Sequence, residues 1–121
     1  MTGPAERWRA EVRRELLAAR TNRDVTRVSV LRSAMSAIDN AETPGGVVPS
    51  AGAIADSASG LGAAEVTRRM LGDDEIRAVI DREIDERSTA AEQFDAAGHG
   101  GRAAALRAEA AVLRDLRPGA G

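Results

Sequence analysis

Apolar residues recur at three- and four-residue steps in four stretches of the chain, the period of an amphipathic helix. The first stretch runs from about Ala5 to Ala19, with Trp8, Val12, Leu16 and Ala19 on one side. Pro4 suits its first turn, where a missing N–H costs nothing. The second begins near "TNRD", where Thr21 followed by Asp24 predicts a capping-box-like start. Val28, Leu31, Met35 and Ile38 then form a stripe, and the helix is expected to end by Glu42, ahead of Pro44, Gly45 and Gly46. The third opens on acids, with Gly72 or Asp73 as its cap, and carries Ile76, Ile80, Ile84, Ala91 and Phe94 on one arc. Gly98 stands where a left-handed residue would close it. The fourth spans about Arg102 to Leu116, with Leu106, Ala110 and Leu113 in line, Leu116 nearby, and Pro118 and Gly119 as the stop. No stretch alternates with period two for long enough to be a strand. The pattern predicts an all-α fold, a small four-helix array in a single domain over 1–121, with helices one and two in 4–42 and helices three and four in 73–117. The short "GHGG" turn implies that the last two form an antiparallel hairpin.

Between the two pairs the period vanishes. Residues 43–72 include "TPGGVVPSAGAIADSASGLG", rich in Gly, Ala, Ser and Pro. The expectation is a long flexible loop, inserted between helices two and three.

Composition narrows the chemistry. Trp8 and Phe94 are the whole aromatic complement, so the core must rest on aliphatic residues and alanine, which suits close-packed helices. There is no cysteine and no lysine. Disulfides, thiolate catalysis, Schiff bases, a serine–lysine pair and a P-loop are thereby excluded. His99 is the one histidine, and a zinc site or a serine–histidine–acid triad would have to use it, with no GxSxG elbow around any serine. We therefore expect no metal, no cofactor and no catalytic residue. The amino end carries charges where a signal peptide needs an apolar run, and no apolar stretch approaches the ~20 residues of a membrane span. The expectation is a soluble, cytoplasmic protein without a membrane partner.

The carboxylates of "DREIDERSTAAEQF", Asp81 to Phe94, were the remaining candidates for acid/base or metal chemistry. Helical geometry disperses them. Asp81, Arg82 and Asp85 turn toward solvent and Glu86 lies on the other flank. Arg87 falls within the apolar stripe and Glu83 borders it, so this charge must be paired or reach water past its neighbours. Two readings stay open: a partly buried ion pair that orients helix three, or a polar pocket between helices that holds a partner group. Asp73 with Arg77 and Glu83 with Arg87 have the favourable acid-before-base order for pairs along a helix.

Charge is uneven. Residues 1–40 hold eight arginines against five acids, while residues 73–117 hold seven against eleven. Arg9, Arg13, Arg20, Arg23 and Arg27 are candidates for a surface that meets RNA phosphates, with Arg32 further along the second helix. Scarce aromatics argue against base stacking as the mode.

"RDVTRVSVLRSAMSAIDNAE" and "EVTRRMLGDDEIRAVIDREIDERSTAAEQFDAAGHGGRAAALRAEAAVLRDLRP" together resemble GatB/YqeY proteins. In that family R-L-S-V-L-R precedes a helix ending in N-x-E, and R-E-I/L-x-x-R precedes A-A-E-x-F, a Gly-containing turn and a helix ending in L-P. The resemblance covers all four helices, and the long insertion departs from it. It implies a YqeY-like N-terminal helical domain, with the family's second small helical domain expected to be absent because the chain stops at "DLRPGAG". It also implies association with tRNA or with the tRNA-dependent amidotransferase, whose label is a carbon–nitrogen ligase with glutamine as amide donor. Arg32, Arg82, Glu83 and Arg87 match recurrent family positions, and no catalytic role attaches to them. The expected role is a non-catalytic helical module. The alternatives are a protein-interaction module that binds no RNA and an accessory amidotransferase or amidase component.

Overall fold

A computed structural model describes residues 3–43 and 69–116. They form four helices: α1 (Pro4–Thr21), α2 (Val25–Glu42), α3 (Asp73–Ala96) and α4 (Gly100–Arg114). No strand occurs among the described residues. The all-α, four-helix expectation holds, with each helix within a few residues of its expected bounds. The expected loop over 43–72 lies outside the described residues between 44 and 68. Pro118 and Gly119, the expected stop of α4, also lie outside them.

α1 and α2 are antiparallel, as are α3 and α4, and the two turns share one construction. At the end of α1, the Arg23 N–H donates to the Arg20 carbonyl (3.1 Å) and the Asp24 N–H to the Ala19 carbonyl (2.9 Å). At the end of α3, the Gly98 N–H donates to Asp95 (3.0 Å) and the His99 N–H to Phe94 (2.8 Å). Both are Schellman closures with the residue after the C-cap in the left-handed region: Arg23 at φ 56° and Gly98 at φ 85°. Gly98 takes the place expected of it. In each turn the next residue, Asp24 or His99, is also the N-cap of the following helix. Asp24 caps with its side chain, accepting from the Arg27 N–H at 3.0 Å. Thr21, expected to open α2, is instead the last residue of α1, and its hydroxyl donates back to the Leu17 carbonyl at 2.9 Å. An ordinary Asp cap satisfies one of the free N–H groups of α2 without it.

The stripes meet in one core, except that Phe94 and Leu106 are half-buried and lie outside it. Trp8, Val12 and Leu16 from α1 pack with Val30, Leu31 and Ile38 from α2, and with Ile76, Ile80 and Ile84 from α3. Ala110, Val112 and Leu113 from α4 complete it, together with Leu116 just beyond the helix. Leu71 anchors the start of α3, and the Arg69 N–H donates to the Glu42 carbonyl at 2.8 Å, so the chain re-enters beside the end of α2. α3 has 24 residues and is about 36 Å long at 1.5 Å per residue, against about 27 Å for the 18 residues of α2. Its far end packs on α4 alone. The buried residues there are Ala91 and Ala103, which belong to no larger cluster.

The start of α3 is held from two sides. The Gly72 N–H donates to the Glu75 carboxylate at 3.0 Å. Asp73 accepts from the Trp8 indole N–H (3.0 Å) and from Arg7 (3.1 Å). The expected Asp73–Arg77 pair therefore does not form. An N–H donor on the buried indole needs an acceptor, and Asp73 supplies it at the positive end of a helix. Arg77 lies over the Trp8 ring instead, 5.9 Å from its centre.

Candidate functional site

The arginines of the first half divide into two sets. Arg9 is drawn inward. Its guanidinium bonds Asp39 at 2.5 Å and both carboxylate oxygens of Glu42, the longer contact being 3.3 Å. Glu42 is 8% exposed, the one buried charged residue among those described. The hydrogen bond to Glu42 raises the Arg9 pKa further above its ordinary value, against the opposing effect of burial and with help from Asp39. Arg9 was a candidate for the RNA-facing surface, and it does not join that surface. The antiparallel crossing of α1 and α2 sets it opposite two acids of α2. Arg27, from the same candidate group, is half-buried and pairs with Glu15 across the hairpin at 3.5 Å.

Arg13, Arg20, Arg23 and Arg32 are exposed, and none has a carboxylate partner among the described residues. Most of the acids around them are engaged elsewhere, Glu6 being the exception. Glu11 pairs with Arg14, Glu15 with Arg27, and Asp39 and Glu42 with Arg9, while Asp24 caps α2. Among the described residues of this half, pairing and capping thus leave one exposed acid, Glu6, against four exposed arginines.

The second constellation lies between α3 and α4. Arg87 bonds Glu83 at 3.0 Å, one turn back on α3, and Glu109 of α4 at 3.0 Å. Its side chain is 14% exposed. The expected Glu83–Arg87 pair is present, and it spans two helices through Glu109, which sequence reasoning missed. Glu109 sits next to the stripe residue Ala110, just as Glu83 sits next to Ile84, and that position beside a stripe is the signal that could have found it.

Glu83 also forms one wall of an open groove of about 580 Å³ along α2. Ser29, Arg32, Ser33, Ser36 and Asn40 line it. The structure therefore brings Arg32 and Glu83 to one surface, with Arg87 behind Glu83. Arg82 is exposed and borders a neighbouring depression with Asn40 and Glu75. Asp81, Asp85 and Glu86 are exposed, as helical geometry predicted. Beside the apolar Val25, Val28 and Ala37, the groove offers hydroxyl and amide groups, one guanidinium and one carboxylate, polar groups that bind by hydrogen bonding and charge. Among the described residues, no three His, Cys, Asp or Glu side chains gather as metal ligands. His99 packs edge-on against Phe94, with ring centres 6.1 Å apart, which is the apolar contact that accompanies a Schellman closure.

Compared with family models, curated proteins and solved structures, the chain matches none. The site must therefore be read from its own geometry.

Proposed function

We propose that this chain is a non-catalytic helical module of the GatB/YqeY type that associates with RNA, tRNA in the first place, through phosphate contacts. One observation carries the reading. Five acids of the first two helices and their turn, Glu11, Glu15, Asp24, Asp39 and Glu42, have internal partners, and Glu6 stays exposed. Arg13, Arg20, Arg23 and Arg32 are exposed with no ion pair among the described residues, so free cations outnumber free acids. Guanidiniums presented in this way suit phosphate oxygens, which they can bind in bidentate fashion. The ordered likeness of all four helices to that family supplies the choice of tRNA.

A tRNA mobility-shift titration at several salt concentrations tests this. Four engaged phosphates would give a log–log salt slope near −3, at roughly 0.7–0.9 per phosphate. Reversing Arg13, Arg20 and Arg32 to Glu should weaken binding more than tenfold while helicity is retained. No shift at low salt would refute the reading. A second reading, a protein-interaction module without RNA, draws on Leu17 and Val25, which are 67% and 79% exposed near the same turn. Recovery of a protein but no RNA from the native cell would favour it. Ammonia release from glutamine, or amidation of charged tRNA, by the purified chain would establish the accessory-enzyme alternative.

A further inference from the structure

We propose that the crevice where α1 meets the α3–α4 pair is a docking pocket for a short acidic segment of a partner protein, one apolar side chain of which enters it. The pocket measures about 160 Å³. Small-molecule sites usually span roughly 300–1,000 Å³, so this one suits a single side chain better than a cofactor. Its walls are apolar: Trp8 from α1, Ile80 and Ile84 from α3, Leu113 from α4, and Leu116 after it. Its rim is charged, with Arg77, Asp81 and Arg114.

The rim identifies the partner's chemistry. Arg77 lies over the Trp8 ring, and the acid one turn before it, Asp73, is committed to Arg7 and the Trp8 indole. Arg114 donates to the Ser88 hydroxyl at 3.4 Å. Neither guanidinium has a carboxylate partner among the described residues. Shortage of acid is not the reason, because acids outnumber arginines eleven to seven over residues 73–117. Other arginines of this half do find acids: Arg87 bonds Glu83 and Glu109, and Arg107 bonds Asp95 at 2.6 Å. Asp81, the only carboxylate lining the pocket among the described residues, pairs with neither arginine, so these three groups carry one net positive charge. A guanidinium held against an aromatic face keeps its planar fork open to a carboxylate. The arrangement therefore complements an apolar side chain flanked by acids, and Asp81 disfavours a carboxylate on its own side of the mouth.

Trp8 is the only tryptophan, so its emission reports occupancy directly. The probe is a capped hexapeptide with leucine set among aspartates, titrated into the full chain by fluorescence and by calorimetry. Two control peptides replace the leucine with serine or the aspartates with asparagine. We expect saturable binding of the first peptide and at least tenfold weaker binding of both controls. The double substitution Arg77→Gln and Arg114→Gln should cost a further tenfold or more by calorimetry, with unchanged helicity. Equal binding of all three peptides, no saturation, or full binding to the double variant would each overturn the proposal. Tighter binding of isovalerate than of the peptide would assign the pocket to a small carboxylate instead. A dimer that the double variant dissolves would assign it to a second copy of the chain. The tRNA titration uses other residues, so either result can fail without the other.

Discussion

The α1–α2 and α3–α4 hairpins are assembled from the same parts and differ in how each part is filled. Each closes with a Schellman turn, and each is crossed by one arginine held between two carboxylates. In the first hairpin both acids, Asp39 and Glu42, come from the facing helix, and Glu42 is buried. In the second, Glu83 is on the arginine's own helix and Glu109 on the facing one, and their side chains are 23% and 28% exposed. The first cluster ties two helices beside the shared core. The second serves a hairpin whose far end reaches past that core and closes on alanines. A charge cluster of similar composition therefore carries different weight in the two places, because burial sets the cost of leaving one member alone.

Substitution of the two arginines measures that difference. Arg9→Met takes the guanidinium away from Asp39 and from the buried Glu42, and the expected loss is about 3 kcal/mol, in the range for breaking a buried pair from one side. Arg87→Met strands two acids that already reach water, and the expected loss is about 1–2 kcal/mol. Denaturant unfolding of both variants makes the comparison, and a larger loss at Arg87 would reverse the assigned ranking. A double-mutant cycle between Arg87 and Glu109 should return a coupling of about 1 kcal/mol. Arg87→Met also separates the two roles of this site. Retained stability with loss of partner binding would make the pair part of a recognition surface, whereas loss of stability alone would make it a clamp.

The same contrast explains which features were legible in the sequence. The four helices follow from stripes at three- and four-residue steps, and Gly98 from its place after Ala97. Glu83–Arg87 is a neighbour pair on one helix, so the helical period suffices to find it. Arg9 is separated by 33 residues from Glu42, and only the antiparallel crossing brings them together. For that reason Arg9 looked like part of an outward basic surface. Asp73 shows the converse error. Its spacing to Arg77 is favourable, but the local pair gives way to a distant indole that has a buried donor to satisfy. Local charge patterns predict contacts along a helix and say little about competition from another helix.

The smallest expected effect concerns the turns themselves. A left-handed backbone costs an ordinary residue roughly 1–2 kcal/mol, whereas glycine adopts it freely but loses more entropy on folding. Gly98 at φ 85° is therefore the favourable choice, and Arg23 at φ 56° is the unfavourable one. Gly98→Ala should destabilise by about 1 kcal/mol through backbone strain alone, since a Cβ there meets no atom within 4 Å. Arg23→Gly should do the opposite and stabilise by about 0.5–1 kcal/mol, read as a rise in Tm. Arg23 is exposed and makes no ion pair among the described residues, so packing does not account for an arginine at this position. If its guanidinium meets phosphate, Arg23→Gly should raise Tm and weaken tRNA binding together, with the salt slope shallower by roughly 0.7–0.9. A higher Tm with unchanged tRNA affinity would remove Arg23 from the RNA-facing set and leave Arg13, Arg20 and Arg32 to carry it.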